Sequence, residues 1–197
     1  MVHQAVLDVA QLCFQAGLLQ FVISPGSRSA PLTLAVARHP GLHTTVVPDE
    51  RSAGFIALGM AQALNQPVAL ICTSGTAVYN YAPAVAEAYF QGIPLVVFSA
   101  DRPSEWIGQQ DGQTIHQYQI FGKHVKASYQ APDTYQQPDQ LWHIHRQVNE
   151  AVSLAQTFPA GPVHLNFPFR EPFYPQPNQT WQYRELPQYQ VLEGTDE

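Results

Sequence analysis

The chain has 197 residues, of which 45% are hydrophobic; at roughly 150 residues per domain this is one globular domain with a short extension. Charged residues make up 12%, and 9 Lys+Arg against 15 Asp+Glu leave a net charge of -6. That balance argues against a nucleic-acid-binding module, which carries a basic patch or stripe. Cys13 and Cys72 lie far apart with no C-x-x-C spacing, so neither a disulfide framework nor a zinc site is expected, and a reducing cytoplasm fits. The N-terminus lacks the order of a secretory signal, and no run approaches the ~18 consecutive apolar residues of a membrane span, so membrane insertion is not expected.

Helical and extended patterns alternate along the chain, punctuated by Gly or Pro. Ala5, Val6, Val9, Leu12, Cys13 and Ala16 follow the 3.6-residue period of an amphipathic helix that Gly17 closes. Phe21 to Ser24 reads as a short buried strand, Pro31 to about His39 as a helix, and Thr44 to Val47 as extended. Asp49 to Leu64 is helical, Val68 to Cys72 a strand, Thr76 to Gln91 helical despite Pro83, and Leu95 to Phe98 a strand. After a long polar loop, Val125 to Tyr129 reads as a strand, Pro138 to Gln156 as a helix and Val163 to Phe167 as a last strand. Apolar strands separated by helices indicate βαβ crossovers, so the expected class is α/β: an open parallel sheet covered by helices on both faces. This unit runs to residue 174. From 175 to 197, prolines interleaved with Gln, Asn and Tyr read as an extended linker.

Ligands of open α/β sheets sit beyond the carboxyl ends of the strands. Four segments fall there: Ser24-Pro25-Gly26-Ser27-Arg28-Ser29, Asp49-Glu50-Arg51, Thr73-Ser74-Gly75-Thr76 and Ala100-Asp101-Arg102-Pro103. In a chain with so few charges, this gathers arginines, acids and small hydroxyls on one edge. Ser27 and Ser29 flank Arg28 at a helix entrance, where free N–H groups and the helix dipole favour an anion and a guanidinium adds a fork for carboxylate or phosphate. The plainer alternative is a serine cap beside a solvated arginine. Glu50 either complements the N-terminus of the following helix or is a carboxyl group in apolar surroundings that shares a proton with a ligand nitrogen. Neither G-x-x-x-x-G-K-[ST] nor G-x-G-x-x-G is present, so nucleoside triphosphates and dinucleotides are poorly supported. Of the eight histidines, His143 and His145 point to different helix faces, and His116 lies in the polar loop near Gln113.

At these segments, and at Gln113 through Gln117, the chain resembles the N-terminal part of the 2-succinyl-5-enolpyruvyl-6-hydroxy-3-cyclohexene-1-carboxylate synthases, thiamin-diphosphate-dependent enzymes of menaquinone and phylloquinone biosynthesis. The likeness runs from about Val6 to Tyr174. The Glu50 segment fits many thiamin-diphosphate enzymes; Pro-Gly-Ser-Arg and Ala-Asp-Arg-Pro together with Gln113 narrow it to this family. The resemblance implies a pyrimidine-binding domain whose catalytic glutamate, here Glu50, hydrogen-bonds the cofactor's aminopyrimidine and favours the imino tautomer that deprotonates thiazolium C2. It implies a reaction in which 2-oxoglutarate loses CO2 and the remaining succinyl-semialdehyde carbanion adds to isochorismate. By the same resemblance Ser27, Arg28, Arg102 and Gln113 hold substrate carboxylates, while Ser74, Gly75, Thr76 and Asn80 line the pyrimidine pocket.

Two departures qualify the match. Gly112 and His116 stand where some members have Asn and Arg. The chain also reaches Glu197 without the Gly-Asp-Gly and later Asn that hold Mg2+ and the diphosphate. The expectation is therefore a domain of a longer homo-oligomeric enzyme, inactive alone, with its Mg2+ ligands elsewhere. Two alternatives stay open: the pyrimidine domain of another thiamin-diphosphate decarboxylase or carboligase, and a non-catalytic binding or dimerisation module.

Overall fold

A computed structural model describes residues 2–175 and 180–188. In chain order the elements are α1 (Val2–Gln15), β1 (Gln20–Ile23), α2 (Ala30–Ala37), β2 (His43–Val46), α3 (Glu50–Leu64), β3 (Val68–Cys72), α4 (Thr76–Asn80), α5 (Ala82–Gln91), β4 (Leu95–Asp101), β5 (Ser128–Gln130), α6 (Pro138–Gln156) and β6 (Val163–Pro168). The strands form one sheet in the order β2-β1-β3-β4-β6-β5, and each neighbouring pair is parallel.

Because strand residues alternate between two covered faces, the middles of β1, β3 and β4 are apolar on both sides, and polar residues enter only at Gln20, Ser99 and Asp101. Phe21, Ile23, Ala69, Ile71, Val96 and Phe98 join one hydrophobic cluster with α1, α2 and α6. Val22, Val68, Leu70, Leu95 and Val97 join the other with α3, α4 and α5. The chain leaves β1 for β2 in one direction, then passes back across β1 to reach β3. Because crossovers are right-handed, this reversal puts α2 and α3 on opposite faces. A crevice opens at such a reversal, outside the strand ends.

Several boundaries differ from the sequence expectation, each for a local reason. The helix expected from Thr76 to Gln91 is two helices joined at Tyr81. Pro83 has no N–H to bond back along the first helix, and it sits instead in the opening turn of α5, where none is needed. The helix expected from Pro31 to His39 spans Ala30–Ala37. Strand β4 runs three residues past Phe98, so Ser99, Ala100 and Asp101 are strand residues paired to β6. The strand expected at Val125 to Tyr129 is Ser128–Gln130, because Val125 turns into the α3–α5 cluster. Strand β2 begins at His43, and as the sheet edge it is exposed along its length.

The segment read from its prolines as a linker has no helix or strand where it is described, yet it is docked rather than detached. Trp181, Tyr183 and Leu186 pack on the cluster beneath α1, α2 and α6, and the Tyr183 hydroxyl donates to the Ala35 carbonyl at 2.7 Å. Arg184 pairs with the buried Asp8 carboxylate at 2.7 Å, which also meets His145 Nε2 at 3.0 Å. Residues 176–179 and 189–197 of that segment lie outside the described residues. Among the described residues, no helix is long and apolar enough to cross a membrane.

Candidate active site

Two glycines let the loops beyond the strand ends approach one another closely. Gly26 passes so near Thr73 that a Cβ would lie 2.4 Å from the threonine Cβ, and a side chain there has no room. Gly75 has φ +83 and faces the Gln113 backbone, where a Cβ would sit 2.9 Å from the carbonyl. The first brings the Ser27–Arg28 loop against the Thr73–Thr76 turn. The second seats that turn on the loop after β4, and its left-handed conformation is itself one that glycine accepts most readily.

Beneath this surface lies a buried polar network. Gln117, fully buried, accepts from the Gly75 N–H at 2.7 Å and donates to the Ala100 carbonyl at 3.0 Å and to Asn166 Oδ1 at 2.9 Å. Asn166 donates to Asp101 Oδ2 at 2.7 Å and to Gln130 Oε1 at 3.0 Å, and Asp101 Oδ1 accepts the Arg102 N–H at 2.7 Å. Burial raises the Asp101 pKa, opposed by the Asn166 and Arg102 hydrogen bonds. Ser99 donates to Asn166 Oδ1 at 2.7 Å, so His164 Nε2, 2.7 Å from the same hydroxyl, is the protonated nitrogen. Its buried Nδ1 has no partner among the described residues, and burial depresses the His164 pKa to about 3.

Glu50 opens α3, half-buried, but it does not cap the helix. The cap is Asp49, whose carboxylate accepts the Ser52 N–H at 2.7 Å. Among the described residues nothing donates a hydrogen bond to Glu50. Its charge is felt by the buried Cys72 thiol and Tyr81 hydroxyl, both raised chiefly by desolvation and further by Glu50. The Tyr81 hydroxyl donates to the Ile71 carbonyl at 3.0 Å. The Glu50 carboxylate thus stands uncommitted near Cys72, the last residue of β3. Asn80 is less central: it is exposed on α4 and donates back to the Thr76 carbonyl at 2.9 Å.

A cavity of about 560 Å³ is lined by Arg28, Arg102, Trp106, Asp111, Arg170 and Glu171, with Pro103. Arg28 is not a solvated arginine. It donates to the Phe169 carbonyl at 2.6 Å and stacks 4.8 Å from the Phe173 ring centre. Desolvation and then the nearby Arg102 lower its pKa. Arg102 donates to Ser74 Oγ at 2.7 Å and pairs with Asp111, which draws the Asp111 carboxyl below its usual range. Ser29, a candidate cap, makes no capping bond and donates back to the Gly26 carbonyl at 3.0 Å. Ser27 and Gln113 are exposed and are not among the residues that line this cavity, and Gln113 has φ +55. His116 lines a smaller pocket of about 240 Å³ with Asp111 and Thr114, and Gly112 faces open space.

The strand ends thus carry an uncommitted carboxylate, able to share a proton with a ligand nitrogen, and a cavity lined by three arginines with Asp111 and Glu171, whose guanidinium groups suit carboxylates. Residues 5–120, which include Arg28, Glu50, Gly75, Arg102, Asp111 and Gln117 but not Asn166 or Arg170, match the family model described as thiamine pyrophosphate enzyme, N-terminal TPP binding domain. The chain belongs to this family. Within it, the chain is 58% identical over 172 residues to a 2-succinyl-5-enolpyruvyl-6-hydroxy-3-cyclohexene-1-carboxylate synthase of Cytophaga hutchinsonii, covering 87% of this chain and 31% of that one. Proteins of the same name from Porphyromonas gingivalis and Desulfotalea psychrophila are 48% and 47% identical. Those matches cover 80% and 87% of this chain, and 27% and 32% of the relatives. The chain therefore spans about a third of the length of these curated relatives.

Arg170, Asp111 and Trp106 were not singled out from the sequence. Arg170 lies just past the last expected strand, next to Pro168 and Pro172, where no motif marks it. Asp111 and Trp106 lie in a loop with no periodicity to mark which side faces the cavity. Gln117 belonged to a noted segment, but its burial gave no signal, since a glutamine in a polar loop reads as solvated.

Proposed function

We propose that this domain contributes the pyrimidine-binding half of a thiamin-diphosphate-dependent synthase that decarboxylates 2-oxoglutarate and joins the succinyl unit to isochorismate, a step of menaquinone or phylloquinone biosynthesis. The observation that carries the reading is the division of labour at α3: Asp49 caps the helix, leaving the half-buried Glu50 carboxylate without a hydrogen-bond partner. A carboxylate so placed fits the N1′ side of an aminopyrimidine, with Gly75 and Thr76 as further lining of the pocket. When bound, thiamin diphosphate would supply the electron sink for decarboxylation and the nucleophilic carbon for addition. Glu50 would hold a proton at the ring nitrogen, Arg28 and Arg102 would orient substrate carboxylates, and Ser74 would keep Arg102 aimed at them. Ser27 and Gln113 would add further polar contacts, and Asn80 serves the pocket through Thr76.

Among the described residues no group of three His, Cys, Asp or Glu side chains is placed to hold a metal. The Mg2+ that carries the diphosphate would be held by oxygen ligands outside this domain, and residues 1–197 alone would show no turnover. Exposed Phe55, Ile56 and Tyr79 on α3 and α4 support a homo-oligomer in which a second subunit completes each site.

The test is Glu50→Gln beside Asp49→Asn in the full-length protein, assayed for isochorismate-dependent consumption of 2-oxoglutarate. Glu50→Gln should lose ~10²-fold or more in kcat, the scale of a general acid-base group. Asp49→Asn should keep activity, because Asn is also a good cap. Near wild-type turnover in Glu50→Gln would remove Glu50 from the chemistry. Activity independent of isochorismate would point to another carboligase.

A further inference from the structure

Three arginines line the cavity, and two of them already carry a carboxylate supplied by the loop after β4. Asp111 sits on Arg102, and Glu105 sits on Arg170. Arg28 carries no carboxylate among the described residues; a backbone carbonyl and the Phe173 ring hold it in place. Arg170 is anchored through its neighbour, since the Phe169 N–H donates to the Asp101 carbonyl at 3.0 Å while its carbonyl accepts from Arg28. The three guanidinium groups are thus tied to the ends of β4 and β6 and surround one space. Both members of the Arg170–Glu105 pair are about half exposed, and an exposed pair of this kind contributes little and exchanges readily.

We propose that Arg170 is a third carboxylate-binding residue of this cavity, with Glu105 as its exchangeable occupant, and that the cavity recognises a tricarboxylate. The proposal rests on the functional reading above and goes beyond it. After loss of CO2 a 2-oxoglutarate unit keeps one carboxylate, and isochorismate brings two, so the joined product carries three. Two arginines would leave one of these unpaired in a partly desolvated cavity. Arg170 supplies the third fork, and on binding the product replaces Asp111 on Arg102 and Glu105 on Arg170 with its own carboxylates.

The experiment is calorimetric titration of the full-length protein with propane-1,2,3-tricarboxylate and with glutarate, at an ionic strength where the Debye length is about 8 Å or less. Wild type should bind the tricarboxylate about tenfold tighter than glutarate, the factor expected for one charge-assisted hydrogen bond. Arg170→Ala and Arg170→Gln should bring that ratio close to one with glutarate affinity little changed, and Glu105→Gln should tighten the tricarboxylate. An unchanged ratio in both Arg170 variants would overturn the proposal alone. If Arg28→Ala weakened neither probe, the carboxylate reading of the whole cavity would fall, and the proposal with it.

Discussion

Replacing Gln117 by Met probes the network that holds the site together, because Met matches the shape of Gln and removes all of its polar atoms. The Gly75 N–H and the Ala100 carbonyl each lose a partner, whereas Asn166 Oδ1 keeps its bond from Ser99. A buried group left unpaired costs about 1–3 kcal/mol, so two such groups, offset in part by the apolar side chain, predict a loss of about 3 kcal/mol. At a urea m-value of about 2 kcal/mol/M this lowers the midpoint by about 1.5 M. Gln117→Glu gives an internal check. Its carboxylate can still accept from Gly75, but its other oxygen would face the Ala100 carbonyl and Asn166 Oδ1, both acceptors, so its folded-state pKa must rise. A raised carboxyl pKa makes the variant most damaged near neutral pH and progressively less so as the pH falls toward its unfolded value of about 4.3. Urea melts of wild type and both variants at pH 7 and pH 5 measure this. If Gln117→Met stayed within about 0.5 kcal/mol of wild type, the range of an ordinary surface change, the network would not hold the turn and the reasoning would fail.

His164 should make the fold acid-sensitive. Its folded pKa near 3 lies below the unfolded 6.5, so the unfolded chain binds the extra proton and stability falls as the pH drops from about 6.5 toward 3. At pH 4.5 the two-unit gap amounts to ~3 kcal/mol. His164→Gln should flatten the dependence of the urea midpoint on pH over that window, and an unchanged slope would refute the assignment. Arg28→Ala and Arg102→Ala should each lower kcat/KM by about tenfold or more while thiamin diphosphate affinity stays nearly constant, as expected for charge-assisted contacts to substrate. Cofactor affinity falling while substrate kinetics hold would reverse the assignment.

Much of this protein was legible without coordinates. Alternating apolar runs and helical periods, broken by Gly17 and Pro31, specify a parallel sheet between two helical layers, since such strands bury both faces and such helices one. The strand ends then follow from the runs, and with them the four segments that carry Arg28, Glu50, Gly75 and Arg102. What those side chains do to one another depends on distance between elements, which spacing along a chain does not encode. Asp49 and Glu50 are adjacent acids, and only the geometry of the first turn of α3 assigns the cap to one and leaves the other open. Gln117 and Asn166 look like solvated polar residues until β4, β6 and the Gly75 turn enclose them and compel them to pair. Arg170 follows the last strand with no pattern to mark its partner, and only the pairing of β6 with β4 carries it to the cavity of Arg28 and Arg102. Trp181, Tyr183 and Arg184 lack the periodicity of any regular element, yet they dock because α1 and α2 leave apolar surface and a buried carboxylate, Asp8, for them to cover. Sequence patterns report how each segment meets solvent; which segments meet each other is settled by packing of the whole chain.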